Sequence, residues 1–222
     1  MRQDTQPIKQ RSSTKRLTIF VSSTVYGYEE LLDRIYTMLT AFGYEVWMSH
    51  KGTMPVDSHR TAFDNCLEAV AKCDLFLGII TPQYGSGQDK EIENELSIVH
   101  REIKKAIELK KPRWVLAHDH VVFARSLLKN LGYGTSEKRK ELSLKKSPIL
   151  EDLRVLDIYE DAAVQGKKIP LAERRGNWVQ KFRSDEEGAL FATAQFYRYQ
   201  EIEDFIKENF GNNNMEASHG QE

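Results

Sequence analysis

The feature that most constrains this chain is a regular alternation between short runs of β-forming residues and longer amphipathic stretches. The clearest run, Leu75–Ile80, consists of apolar residues and one glycine, which is typical of a strand that is covered on both faces of a parallel sheet. Strands that alternate with helices form parallel sheets with helices on both faces, so the pattern predicts an α/β fold. The predicted strands are Leu17–Ser22, Tyr44–Met48, Leu75–Ile80, Arg113–Ala117 and Trp178–Phe182.

The length of 222 residues favours one domain, because a single hydrophobic core stops growing only near ~250–300 residues. We predict one α/β domain over residues 17–210, between a disordered basic leader (1–16) and a disordered tail (211–222). A helical insertion is expected at about residues 121–165. It is too short to bury an independent core easily and should therefore lean on the sheet.

The charge balance limits the partners that the chain can have. With 32 basic and 33 acidic side chains, the net charge is −1, which argues against binding nucleic acid or an anionic membrane as the main activity. No apolar run approaches a membrane-spanning length and no signal-type segment is visible, so a cytoplasmic location is expected. Cys66 and Cys73 are expected to be buried thiols. Whether the chain is a monomer or a homo-oligomer stays open.

Polar residues gather where the predicted strands end. In a parallel sheet these carboxyl ends meet at one edge, where ligands bind beside backbone N–H groups. Hydroxyl groups, one aromatic ring and flexible glycines suit ribose, phosphate and a stacked base. Helix capping alone would explain any one of these residues. The candidate substrate-binding residues are Ser22, Ser23 and Thr24, Ser49, Thr81, Tyr84 and Gly85, and His118.

Glu102 is the candidate catalytic residue. On a helical projection it falls inside the apolar arc of the helix that follows the third strand. A carboxylate in such a place is costly unless it is paired, protonated or open to a cavity. A structural ion pair with Arg101 or Lys105 is the competing interpretation, and Glu95 lies on a similar side of the helix.

The sequence His118-Asp119-His120 places two imidazoles close together after the fourth strand. A metal ion needs further ligands, and the sequence does not point to them. We therefore predict no metal site. His100 is interpreted as a partly buried or surface histidine rather than a ligand.

Four motifs in the same order give the chain a resemblance to a known family. They are Ile19–Thr24, Asn65–Leu67 followed by Cys73–Ile80, the loop Tyr84–Gly87, and Leu96–Glu102 followed by Ala106 and Lys111-Pro112. On these residues the chain resembles a prokaryotic family of unknown function, which is itself similar in architecture to TIR domains and nucleoside 2-deoxyribosyltransferases.

The resemblance implies a flavodoxin-like three-layer sandwich around a parallel sheet of about five strands. It also implies attack on an N-glycosidic bond of a nucleoside, nucleotide or NAD, in a defence or toxin context. Glu102 stands where related enzymes place their glutamate, and Ser97 joins the substrate-binding candidates from the same motif. NAD or a nucleotide would be the substrate, and no cofactor is implied. A base other than nicotinamide would also need an acid, for which His50 or His118 is the candidate.

Two other functions remain open. The first is a non-catalytic module that senses a nucleotide or binds a protein through the same edge of the sheet. It is favoured by Val99, His100 and Ile103, which replace the threonine, the acid and the tyrosine of the family pattern. The second is a redox flavoprotein, which the fold permits but no residue requires.

Overall fold

A computed structural model of the chain describes residues 16–87, 95–145, 147, 149–164, 170, 173 and 176–210. Five strands form one all-parallel sheet in the order β2-β1-β3-β4-β5, with helices on both faces, as in a flavodoxin-like three-layer sandwich. This confirms the predicted fold class and every predicted strand, with bounds that differ by one residue at most. The strands are β1 (Thr18–Ser23), β2 (Glu45–Trp47), β3 (Leu75–Ile80), β4 (Arg113–His118) and β5 (Val179–Phe182).

Helices follow each of the five strands. Several of them begin at a residue whose side chain accepts a hydrogen bond from an N–H group of the first helical turn. Ser97 does this for α3. The helices are α1 (Glu29–Ala41), α2 (Ala62–Lys72), α3 (Ile98–Glu108), α4 (Asp119–Asn130), α5 (Ser136–Arg139), α6 (Val155–Val164), α7 (Asp185–Phe196) and α8 (Tyr199–Phe210).

The sheet separates two buried clusters. On one side, which we call the α3 face, Phe20 and Phe76 pack beneath α2, α3 and α6. On the other side, the α1 face, Ile19 and Leu116 pack beneath α1 and α7. Because successive residues of a strand point to opposite faces, this division decides on which side of the sheet each polar residue near a strand end lies.

The segment that the sequence marks as an insertion packs on the α3 face. Its buried apolar residues belong to the same cluster as Phe76, and α6 contacts both α3 and β3. The apolar side of α4 is only partly covered, since Val121 is buried but Leu127 and Leu131 are exposed. The residues of the segment in that cluster are Val121, Leu150, Val155, Leu156, Ile158 and Ala162.

The predicted leader and tail fall almost entirely on residues outside the described ranges. Within those ranges, no helix combines the length and the apolar character that crossing a membrane requires. Cys66 and Cys73 are both buried free thiols, as the sequence predicted.

Gly78 explains how α3 approaches the sheet. It lies beside Ser22 in the register of β1 and β3. A Cβ atom at this position would lie 3.1 Å from Phe76 Cε1 and 3.6 Å from Ile103 Cδ1. The missing side chain therefore lets α3 pack closely over the sheet at the level of Ser22, and this sets the position of Glu102 next to Ile103.

Candidate active site

The carboxyl group of Glu102 lies between α3 and β1, on the α3 face. The hydroxyl of Ser22 donates a hydrogen bond to Glu102 Oε2 at 2.5 Å. Both side chains are out of solvent, with Glu102 3% and Ser22 1% exposed. The prediction that Glu102 belongs to the buried arc of α3 is confirmed, and its partner is one of the predicted strand-end hydroxyls.

Cys66 of α2 completes the surroundings of this carboxyl group. Burial raises the pKa of Glu102 to about 7, although hydrogen bonds from Ser22 and Cys66 act in the opposite direction. Burial, and then the nearby Glu102 charge, raise the pKa of the Cys66 thiol to about 12. The thiol therefore stays protonated at neutral pH, while the carboxyl group can exchange a proton near neutrality.

The competing ion pair of Glu102 is not formed among the described residues. Arg101 Nη2 instead lies 2.9 Å from Glu95 Oε1, and Lys105 Nζ lies 3.4 Å from Glu108 Oε2. In the part of the chain that the structure describes, Glu102 consequently has neutral hydrogen-bond donors around it and no cation. A buried carboxyl group in this situation is more typical of a functional site than of a structural ion pair.

Four further predicted residues meet at the edge of the sheet between β1 and β3. The hydroxyls of Thr24 and Thr81 share a short hydrogen bond. Gly85 has a φ of +79°, and a Cβ atom there would lie 2.9 Å from Thr24 Cγ2 and 4.0 Å from Ser97 Cβ. Ser97 caps α3 by accepting from the N–H of His100 at 3.4 Å. The loop after β3 is thus closed tightly over the end of β1.

Tyr84 is buried in this loop rather than presented to solvent, with 2% of its surface exposed. Its hydroxyl lies 3.1 Å from His100 Nδ1, and His100 Nε2 lies 2.9 Å from Asp161 Oδ2. The guanidinium of Arg154 covers the ring at 4.3 Å from the centroid. A base could stack on Tyr84 only after Arg154 moved away.

Three predicted site residues lie apart from this cluster. Ser23 comes directly after Ser22 and so faces the α1 side, where its hydroxyl donates to the carbonyl of Thr24 at 2.8 Å. Ser49 is exposed beyond β2. His118 also lies on the α1 face, with its ring 5.3 Å from that of Phe182. The structure therefore does not bring these side chains to Glu102.

Neither imidazole that was considered as an acid contacts Glu102. Burial, and then the neighbouring His120, lower the pKa of His118. His50 is mostly exposed after β2. The partial burial of its ring, and then the charge of Lys51, lower its pKa.

A cavity of nucleotide size opens beside Arg154. Its volume is about 580 Å³, and Leu96, Arg139 and Arg154 contribute to its lining. Asp152 and Asp157 also line it, and they pair with Arg154 and Arg139 respectively. Glu102 is not among the lining residues of this cavity.

Sequence reasoning missed Cys66, Arg154 and Asp161 as part of the site. Cys66 lies on the buried side of α2, so its spacing indicated burial but not which carboxyl group it would meet. Arg154 and Asp161 approach from a segment more than 50 residues further along the chain. No local pattern identifies such partners.

Comparison with known proteins identifies a family for the chain. A family model described as a domain of unknown function (DUF4062) matches residues 18–210, which is most of the chain. No curated protein matches.

Proposed function

We propose that this chain, which belongs to the DUF4062 family of domains of unknown function, binds a nucleotide and breaks an N-glycosidic bond. The sugar would then be hydrolysed or transferred. Glu102 would be the nucleophile or the group that stabilises the sugar cation. Ser22 would position it, and Thr24, Thr81 and Ser97 would contact ribose or phosphate. The similarity of the family to TIR domains and deoxyribosyltransferases is part of this proposal.

The observation that carries the proposal is the buried carboxyl group of Glu102 at the edge of a parallel sheet. Among the described residues, no cation lies beside this group. Its pKa of about 7 means that both protonation states are populated near neutral pH. Groups poised in this way are concentrated in active sites. Ser22 donates to one oxygen at 2.5 Å and so restricts the orientation of the carboxyl group.

The chemistry rests on the charge that develops when the C1′–N bond breaks. The base leaves with the bonding electron pair and the sugar becomes an oxocarbenium ion, which a carboxylate can stabilise or bond covalently. Attack of water on C1′ then completes hydrolysis, whereas attack of a second base completes transfer. Only the ionised form of Glu102 can do this.

A cationic N-glycoside such as NAD is the favoured substrate class. Nicotinamide leaves as a neutral molecule and needs no proton, whereas a purine or pyrimidine base departs more easily with an acid. His118 lies on the opposite face of the sheet from Glu102, so it is poorly placed to act as that acid.

The test is incubation of the purified protein with NAD and with a panel of nucleosides and nucleotides, followed by chromatography of the released base. We expect release from NAD, and loss of release in Glu102→Gln. Glu108→Gln is the matched control, because Glu108 is an exposed glutamate of the same helix. Full activity of a folded Glu102→Gln variant would remove Glu102 from the mechanism.

A non-catalytic module is the second candidate, and one observation favours it. Glu102 is 3% exposed, and the short Thr24–Thr81 bond and the covered ring of Tyr84 close the loop edge above it. A substrate can reach Glu102 only if this edge opens. Calorimetric binding of a nucleotide from the panel without release of base would support this candidate instead.

A further inference from the structure

A second group of chemistry-bearing side chains lies where β4 passes into α4, on residues His118, Asp119 and His120. His118 is buried and caps α4, since its Nδ1 accepts from the N–H of His120 at 3.2 Å. The group lies toward the α1 face, and Glu102 lies on the α3 face. A role for the group is therefore independent of the function proposed for Glu102.

The donor atoms of the three residues converge. Asp119 Oδ1 lies 3.4 Å from His118 Nδ1 and 4.0 Å from His120 Nε2. One ligand atom can be chosen from each residue so that all lie within 4.8 Å of one another. Metal–ligand bonds of about 2.0–2.2 Å place neighbouring ligand atoms roughly 3 to 4 Å apart, which is close to this arrangement. Coordination through His118 Nδ1 also requires this nitrogen to release the N–H of His120, since its one lone pair accepts that hydrogen bond.

The condition of Asp119 is the independent sign of a missing partner. Its Oδ1 is buried and has no hydrogen-bond donor among the described residues. A buried carboxylate oxygen without a donor is costly, and native proteins rarely leave one. The other oxygen, Oδ2, lies 3.2 Å from Arg183 Nε. The oxygen that faces the two imidazoles is thus the one that lacks a partner.

The surroundings would hold the ligands in place and still admit an ion. The ring of His118 packs edge-on against Phe182 and Tyr28, with centroids 5.3 Å and 5.8 Å away. Arg183 orients Asp119 through Oδ2, as outer hydrogen-bond partners do for metal-binding carboxylates. The side chain of His120 is 46% exposed, which gives solvent access to the group.

We propose that His118, Asp119 and His120 form a binding site for one divalent transition-metal ion of the Zn²⁺ class. Two imidazoles and one carboxylate are the donor set of Zn²⁺, Co²⁺ and Fe²⁺, whereas Mg²⁺ and Ca²⁺ prefer oxygen ligands throughout. Asp119 would be the third ligand, a role that the sequence did not indicate. Three protein ligands leave a coordination position for water or a substrate atom.

Titration of chelator-treated full-length protein with Co²⁺ tests the site without any activity assay. We expect visible absorption bands of bound Co²⁺ that saturate at one ion per chain and disappear when Zn²⁺ is added. His120→Ala and Asp119→Asn should each weaken Co²⁺ binding by more than about tenfold. His59→Ala is the control, because His59 is an exposed histidine in the loop before α2, and it should bind as the unchanged protein does.

For the buried ligand the variant is His118→Asn, because asparagine can still cap α4 after the imidazole is removed. If this variant does not fold, the exposed His120 decides the outcome. Two results would overturn the proposal. They are the absence of saturable Co²⁺ binding, and binding that Asp119→Asn and His120→Ala both leave unchanged.

Discussion

The carboxyl group of Glu102 carries a cost that a structural residue would avoid. Its pKa is raised to about 7 from the ordinary 4.5 by burial. In the pH range between these values the folded protein holds a proton that the unfolded chain has lost, so the free energy of unfolding falls as the pH rises. The full shift corresponds to roughly 3 kcal/mol, a cost that is absent below pH 4.5 and complete above pH 7.

Glu102→Gln should therefore make the protein more stable at high pH. A neutral amide keeps an acceptor for Ser22 and never ionises, so the gain in unfolding free energy should grow between about pH 5 and pH 8 toward roughly 3 kcal/mol. Urea denaturation at several pH values measures it. Glu108→Gln, an exposed change on the same helix, should show no such growth. If the difference in unfolding free energy between Glu102→Gln and the unchanged protein did not depend on pH, burial could not be raising the pKa of Glu102.

The hydroxyl of Ser22 should set the pH at which the site becomes active. If the ionised carboxylate is the working form, base release should rise as the pH increases through about 7. Ser22→Ala removes a hydrogen bond that lowers the pKa of Glu102, so the rise should move to higher pH. Ser23→Ala is the matched control, because Ser23 faces the other side of the sheet. Infrared difference spectra against Glu102→Gln track the same ionisation without turnover, and an unshifted midpoint in Ser22→Ala would count against the contact.

The loop after β3 depends on Gly85 to close over the end of β1. Its φ of +79° costs other residues about 1–2 kcal/mol, and a Cβ atom would also press on Thr24 Cγ2 at 2.9 Å. Gly85→Ala should therefore destabilise the protein by roughly 1 kcal/mol more than Gly52→Ala. Gly52 has a φ of +64° but open space around it, so it reports the backbone cost alone. If chemical denaturation showed equal losses of unfolding free energy for the two variants, the loop edge would accommodate the added Cβ atom without further cost.

The loop edge and α3 are joined by a chain of polar contacts. His100 links Tyr84, in the loop, to Asp161, on α6, through its two ring nitrogens. Any opening of the edge above Glu102 would therefore move α6 or break one of these bonds. The element that could control access is thus the helix added by the segment after β4, rather than a strand of the sheet.

The segment from Val121 to Val164 is expected to behave as part of the one domain. Its buried residues share a cluster with β3 and α3, so it has no core of its own. In limited proteolysis we expect first cleavage near the exposed Gly132 and no folded fragment released from this segment. NAD or a bound nucleotide should slow cleavage if the segment responds to ligand. A fragment that is cut free and remains folded alone would contradict the single-domain prediction.

The alternation of strands and helices and the burial of Glu102 could be predicted from the sequence because both are periodic. A strand repeats every two residues and a helix every 3.6, so local spacing reports which residues are covered.

The partners of the site could not be predicted in this way. Ser22 meets Glu102 while Ser23 does not, because a shift of one residue on a strand reverses the face. Arg154 and Asp161 reach the loop only through packing of a distant helix. Contacts of this kind depend on how whole elements dock, and no spacing within a single segment encodes that geometry.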